Sequence, residues 1–309
     1  MAPRTLVIVN PMSRAGATAG RWTSVERKLR EVLGTIEVEQ TRGPRDAERL
    51  AREGARAGFE RIVVAGGDGT LSEVTSGLLE AGLGDAVEVG LLPLGTGGDF
   101  PRSLGLPRDL DSAIACIAAG IRRRVDAGRV RHIDVGGGEV TTHFLNVMSA
   151  GISGFIVEGM KSTTRALGGT AAFLIATLRG VVRHRAEPVR LRVDGECVHE
   201  GPLLLAVAAN GRYFGGGMAV APKAELDDGL LDVVWVPEIS KRRLVAKLGL
   251  IYRGRHLDEP EIGYRRGRVV EMEALAGSVP LEIDGESLGT LPARVEILPN
   301  ALSLVGPMG

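Results

Sequence analysis

Short apolar runs alternate with longer stretches of helical spacing through the N-terminal part of the chain. Residues 6–9, 36–40, 61–65 and 87–92 read as strands, and residues 20–33, 46–58 and 71–81 as helices. That βαβα rhythm predicts a doubly wound parallel sheet with helices on both faces. After Arg122-Arg123-Arg124 the rhythm changes. Residues 133–135, 142–147, 189–193, 203–209, 230–236, 269–273, 279–283 and 294–298 are short runs parted by Gly, Pro and Asp, which predicts an antiparallel β-sandwich or barrel. Two further stretches, 170–184 and 239–252, have helical spacing with Arg or Lys at one end. The expected division is an α/β domain over 1–128 and an all-β domain over 129–309, with the last strand, about 300–309, a candidate to return to the first domain.

At 309 residues the chain has room for two domains of about 150 residues each. Its 44% hydrophobic and 25% charged residues suit a folded chain rather than a disordered one. Thirty-eight basic residues balance 38 acidic ones, so no summed field draws the molecule to nucleic acid, and any anion site has to be local. Cys116 and Cys197 have no metal spacing, which fits a reducing, cytoplasmic setting. The first apolar run is too short for a signal segment, and the longest, 166–178, falls below the ~20 residues a membrane span needs. Forty-four glycines stand out, because glycine marks where a backbone turns tightly or approaches something closely.

Two glycine clusters follow predicted strands. Residues 61–65 run into Gly66-Gly67-Asp68-Gly69-Thr70 and then a helix, a turn that leaves backbone N–H groups pointing one way and suits a phosphate. It is neither a Walker loop nor the Gly-x-Gly-x-x-Gly of dinucleotide folds. Thr70 and Glu73 also have capping-box spacing, Thr-x-x-Glu. One βα unit later, Pro93-Leu94-Gly95-Thr96-Gly97-Gly98-Asp99 repeats the logic. The carboxyl ends of parallel strands share an edge, so both loops, with Asn10 after the first strand and Thr41 after the second, are expected to face one crevice.

Gly-Gly-Asp-Gly-Thr, then Pro-Leu-Gly-Thr-x-x-Asp-Phe, then Asn146-x-x-x-x-Gly151, Asn210-Gly-x-Tyr-Phe-Gly, Ala221-Pro-x-Ala-x-Leu-Asp-Asp-Gly-Leu and Ile283-Asp-Gly-Glu286 resemble, in that order, the lipid kinase family of bacterial diacylglycerol kinases, sphingosine kinases and ceramide kinase. The resemblance implies an NAD-kinase-like nucleotide domain that binds ATP, a β-sandwich domain that binds a lipid, and transfer of the γ-phosphoryl group to a lipid hydroxyl, with a diacylglycerol-like acceptor. It implies ATP contacts from Asn10, Thr41, Gly66, Gly67, Asp68, Gly69, Thr70, Glu73, Gly95, Thr96 and Asp99. It implies a structural Mg2+ at Asp228 and the carbonyls of Glu225 and Leu230. The general base is then Glu286, supported by Asp284, with Asp68 as the rival. A second Asp-Gly-Glu, residues 194–196, lies between two apolar runs and reads as a plain hairpin turn.

The chain departs from the family at Gly98, where many members have Asn, and over residues 150–155, Ala-Gly-Ile-Ser-Gly-Phe, where many carry Gly-Phe-Asp-Ala. Two readings follow: Glu158 or another acid replaces that carboxylate, or the chain belongs to a divergent subgroup with altered substrate or weak activity. The alternatives are an NAD kinase-like enzyme and a non-catalytic lipid- or nucleotide-binding regulator. The expected partners are a lipid substrate and a transient peripheral contact with the inner membrane surface, with no nucleic acid and a homodimer left open. The basic pairs and triplets, Arg265-Arg266 among them, read as solvated charge.

Overall fold

The computed structural model of the chain describes residues 2–14, 16–95, 97–163, 180 and 185–307. The helix expected over 170–184 falls, but for Gly180, outside them. The chain divides into two compact units, residues 1–126 with 299–309, and residues 127–298.

In the first unit, β1 (Thr5–Val9), β2 (Ile36–Gln40), β3 (Arg61–Gly66) and β4 (Glu88–Pro93) are all parallel. The end of the long last strand, β14 (Glu286–Val305), adds a fifth parallel strand by pairing Ser303 with Glu88 and Leu304 with Val89. The order is β14-β4-β3-β1-β2. β1 and β3 are buried at every position, as near-continuous apolar runs of a two-faced parallel sheet should be. On one face α1 (Ala17–Leu33) and α5 (Leu110–Ala119) close over Val7, Val9, Val63 and Leu92 through Trp22, Leu29, Ile114 and Ile117. The remaining long helices, α2 (Asp46–Arg56) and α3 (Asp68–Glu80), pack together so closely that a Cβ on Gly77 would lie 2.2 Å from the Glu48 carbonyl oxygen. Sequence spacing passes over α5 and the short α4 (Asp99–Leu104), and it starts α3 three residues late, because glycine and aspartate at a helix start carry no apolar signal.

The arginine triplet at 122–124 opens a strand with Arg122 and Arg124 exposed. It begins β5 (Arg122–Asp134), and Arg122 Nε donates to Glu88 Oε1 at 2.5 Å while buried Arg61 donates to Glu88 Oε2 at 2.7 Å. Glu88 and Arg61 are 4% and 6% exposed, so each needs the other.

The second unit holds the rest of β5 and β14 together with β6 (Glu139–Phe144), β7 (Val147–Gly151), β8 (Glu187–Val193), β9 (Glu196–Ala209), β10 (Leu231–Pro237), β11 (Gly263–Gly267), β12 (Val269–Ala274) and β13 (Pro280–Ile283). The strand pairs that set their register here are antiparallel. The pairs β9-β8-β12-β14-β13-β7-β9 close a ring, made possible by two long strands that bend and pair on both sides. Inside lie Phe144, Met148, Leu191, Leu203, Val233, Met272, Leu281 and Val295. Helix α6 (Ile152–Thr163) follows β7, and α7 (Lys241–Ile251) matches the expected helix over 239–252.

The single strand expected over 142–147 is broken between β6 and β7 at Leu145-Asn146. No described helix is long and apolar enough to cross a membrane.

Glu88→Ala strands the Arg61 guanidinium in the first unit's interior. Urea unfolding should show a loss of about 3 kcal/mol or more, well beyond that of an exposed pair.

Candidate active site

In the first unit the chain leaves β1 for the edge strand β2 and then crosses back to β3, so β1 and β3 are neighbours whose connections part in opposite directions. Open α/β sheets leave a crevice at that switch point. Asn10, the residue after β1, closes its floor: its N–H donates to the Ala65 carbonyl at 3.0 Å, its Nδ2 donates to Thr70 Oγ1 at 3.0 Å, and its Oδ1 accepts the Met12 N–H at 3.0 Å. Thr41 is held beside the end of β1 by its N–H on the Val9 carbonyl, 2.9 Å away.

Gly66-Gly67 turns β3 directly into α3. Leu71 is the first residue whose N–H returns to the turn, to Gly67 O at 3.0 Å. The amides of Asp68, Gly69 and Thr70 precede it in the helix's first turn, where no carbonyl within the helix can take them, and they make the positive end of its dipole. The second glycine loop lies against the first. Leu94 N–H donates to Gly66 O at 3.0 Å, and a Cβ on Gly95 would come 2.3 Å from Gly67 Cα, so the two backbones touch. Asp68 Oδ2 accepts the Asp99 N–H at 3.1 Å, and a Cβ on Gly97 would fall 2.9 Å from the same oxygen. Asp68 therefore pins the second loop to the first. Exposed Arg14 donates from Nε to the Gly95 carbonyl at 3.0 Å, placing a cation at the rim that sequence reasoning passed over, since a lone arginine in the β1–α1 loop has no motif. Thr96 lies outside the described residues.

The capping box does not form. Thr70 is buried against Asn10, and Glu73 reaches out of its helix to accept the Ala47 N–H at 3.2 Å, in the first turn of α2. Tertiary contacts take both groups from the local pairing that their spacing suggests.

In the second unit Asp284-Gly285 is a two-residue hairpin turn between β13 and β14, with φ of 46° and 92° at its two residues. The Asp284 carboxylate reaches back across the sheet. Its Oδ2 accepts the Leu145 N–H at 2.8 Å, and its Oδ1 accepts the N–H groups of Asn146 and Val147, each at 3.0 Å. These are the amides that break β6 from β7. Asn210 and Gly211 N–H donate to the Asn146 carbonyl at 2.9 and 2.8 Å, and Asn210 Nδ2 donates to the Leu145 carbonyl at 2.7 Å, so the two asparagine motifs and the Asp-Gly turn form one knot. Glu286 stands exposed on the first residue of β14. The other Asp-Gly turn uses the same device: Asp194 has φ of 49° and its Oδ1 accepts the N–H groups of Arg268 and Val269 at 2.9 and 2.8 Å.

The two turns differ in what lies beneath them. Glu282, 3% exposed on β13, accepts the Gly285 N–H on Oε1 at 2.5 Å and meets Ser149 Oγ through Oε2 at 2.5 Å, with Ser149 Oγ 2.8 Å from Ser153 Oγ. Ser153 belongs to the 150–155 segment where the family's aspartate is absent, and Glu282 reaches it through Ser149. The Glu158 side chain lies outside the described residues. Burial pushes the Glu282 carboxyl up to about 7, against the opposing hydrogen bonds of Ser149 and Gly285. Ser149 has one proton for two contacts, and a protonated Glu282 that donates to it lets it donate onward to Ser153. Sequence reading missed Glu282 because it sits in a strand whose successive residues, Leu281, Glu282 and Ile283, are all buried.

Of the magnesium ligands expected at 225–230, the Asp228 carboxylate is already engaged on both oxygens. Asp228 Oδ1 accepts the Leu230 N–H at 3.0 Å, and its Oδ2 is taken by the Arg266 guanidinium. Arg212 Nε donates to the Ala224 carbonyl at 2.7 Å, beside Glu225. Among the described residues no three His, Cys, Asp or Glu side chains cluster as metal ligands do. The donors present do not fit a bound divalent cation as they stand.

A buried acid whose pKa is raised on folding stabilises the protein while it is protonated. The contribution of Glu282 is present near pH 4.5 and falls as pH rises toward 7, by about 3 kcal/mol in all. Glu282→Gln, which mimics the neutral acid, should flatten this slope, so the stability difference between the variant and wild type shifts in the variant's favour between pH 5 and pH 7.5. Chemical denaturation across that range reads it directly, and parallel curves for the two proteins would refute a neutral Glu282.

Residues 4–130 match the diacylglycerol kinase catalytic domain, and residues 146–306 match the YegS C-terminal NAD kinase beta sandwich-like domain. A probable lipid kinase YegS-like of Chromohalobacter salexigens is 32% identical over 291 residues, covering 91% of this chain and 87% of its own. A diacylglycerol kinase of Mycobacterium tuberculosis is 30% identical over 306 residues, covering 98% and 95%. A crystal structure from Bacillus anthracis, described as a candidate diacylglycerol kinase, superposes with a TM-score of 0.80 at 25% identity and covers 99% of this chain and 97% of its own. With touching glycine loops on the parallel sheet and an Asp-Gly-Glu hairpin on the antiparallel one, the chain belongs to the lipid kinase family that joins a diacylglycerol kinase catalytic domain to a YegS-type C-terminal domain.

Proposed function

We propose that the protein transfers the γ-phosphoryl group of ATP to a lipid hydroxyl, with a diacylglycerol-like acceptor. The observation that carries the reading is the backbone contact between Gly67 and Gly95 at the start of α3, which joins two anion-binding loops into one surface. Phosphoryl transfer asks the protein mainly for positioning and for donors on the phosphate oxygens, and amides at a helix start supply both without a flexible side chain. The nucleotide-binding set is Asn10, Thr41, Gly66, Gly67, Asp68, Gly69, Thr70, Gly95, Thr96 and Asp99. Glu73 leaves this set for a structural role, since its carboxylate is turned to Ala47. Arg14 joins it at the rim.

A magnesium ion would be held by a carboxylate together with the phosphate oxygens of a bound nucleotide and water, as Mg2+ prefers. The half-buried Asp68 is the acid at that place. When bound, the ion would neutralise charge on the phosphate oxygens.

Glu286 acts as the general base on the acceptor hydroxyl. It is exposed on a turn held rigid by the three amides on Asp284, so Asp284 is its positioning residue. Glu282 holds the turn from beneath through Gly285 and stands in for the acid missing from residues 150–155. The product is a phosphorylated lipid, and the enzyme meets its substrate at the inner membrane surface from the cytoplasm.

Glu286→Gln should lower turnover on diacylglycerol vesicles with labelled ATP by about a hundredfold or more and leave ATP affinity within error. Asp194→Asn, at the look-alike turn, should keep activity within about twofold. Full activity in the first variant moves the base to another carboxylate, and loss in the second exchanges the roles of the two turns.

A further inference from the structure

The turn at Asp227-Asp228-Gly229 has an arginine of β11 on its carboxylate. β10 and β11 pair in the register that sets Asp232 directly opposite Arg266. From that place the guanidinium bridges two acids: Nε lies 3.3 Å from Asp232 Oδ2, and the terminal nitrogen is on Asp228 Oδ2. Asp232 is 1% exposed and cannot remain charged there alone. Its other oxygen accepts the Tyr264 hydroxyl at 2.7 Å. Tyr264 in turn lies under a second cation, Lys223 Nζ, 4.9 Å from its ring centre. The carboxylates of this turn thus have their positive charge supplied by the polypeptide, in a planar fork that matches two acids better than a point charge would.

We propose that Arg266 occupies, in this chain, the position of a turn-stabilising divalent cation, so that the second unit folds and holds its 225–232 turn without bound magnesium. A divalent ion needs six or more oxygens with little competing positive charge, and here the guanidinium already sits on the Asp228 oxygen that would lead its coordination. A second guanidinium, that of Arg212, sits on the Ala224 carbonyl just before this turn. The inference concerns the fold of the second unit and stands independently of the proposed kinase reaction.

The test uses the full chain, stripped with EDTA and free of nucleotide, melted with and without magnesium chloride. Wild type should melt at the same temperature in both. Arg266→Ala should melt lower by about 3 °C or more and regain part of that loss in magnesium, because Asp228 and Asp232 then face an open space. In parallel, Mn2+ binding followed by electron paramagnetic resonance should give the same stoichiometry for wild type and Asp228→Asn. A wild-type melting temperature that falls with EDTA and returns with magnesium would overturn the proposal, as would an Arg266→Ala protein indifferent to magnesium or a bound Mn2+ lost in Asp228→Asn. Should Arg266→Ala fail to fold, the manganese comparison of wild type with Asp228→Asn decides alone.

Discussion

The first unit depends on one close approach. Gly67 and Gly95 bring their backbones into contact, and everything around them follows from keeping that contact possible. A side chain at Gly95 has nowhere to go, since its first carbon would overlap the neighbouring main chain. The contact sets the second loop against the amides that open α3, Asp68 fastens it through Asp99, and Asn10 fastens the first loop to β1 and Thr70. In the proposed reaction such a surface would hold phosphate at little entropic cost, because backbone groups, unlike lysine side chains, lose little freedom on binding.

The second unit solves a different problem with acids. Asp284 takes three main-chain amides that would otherwise continue a strand ladder, and so it trades regular pairing for a fixed turn. Glu282 lies beneath that turn in an apolar setting that favours its neutral form. Asp228 and Asp232 have their charge met by Arg266. Each buried acid has a named partner, as the cost of burying charge requires.

Much of this was legible in the sequence. The glycine loops could be read because tight turns and close approaches write themselves as glycine, and the parallel sheet could be read because its strands are apolar throughout. The hairpin at Asp194-Gly195 could be read from its two turn residues. What lay hidden depends on partners remote in the chain. The run from Phe144 to Val147 looks continuous, and only an aspartate 139 positions further on breaks it. Arg266 reads as one of a solvated pair until the β10–β11 register sets it across from Asp232. Glu282 lacks the alternation that marks a half-buried strand, and Thr70 and Glu73 match a local cap that their distant partners override.

The most direct test of the paired loops is ATP affinity by calorimetry in Gly95→Ala beside Gly98→Ala. A Cβ at Gly95 meets the Gly67 backbone at 2.3 Å, whereas one at Gly98 meets nothing within 4 Å. With both variants folded, the first should bind ATP weaker by about tenfold or more and the second should bind as wild type does. Equal affinity in all three proteins would contradict a triphosphate held by the touching glycine loops.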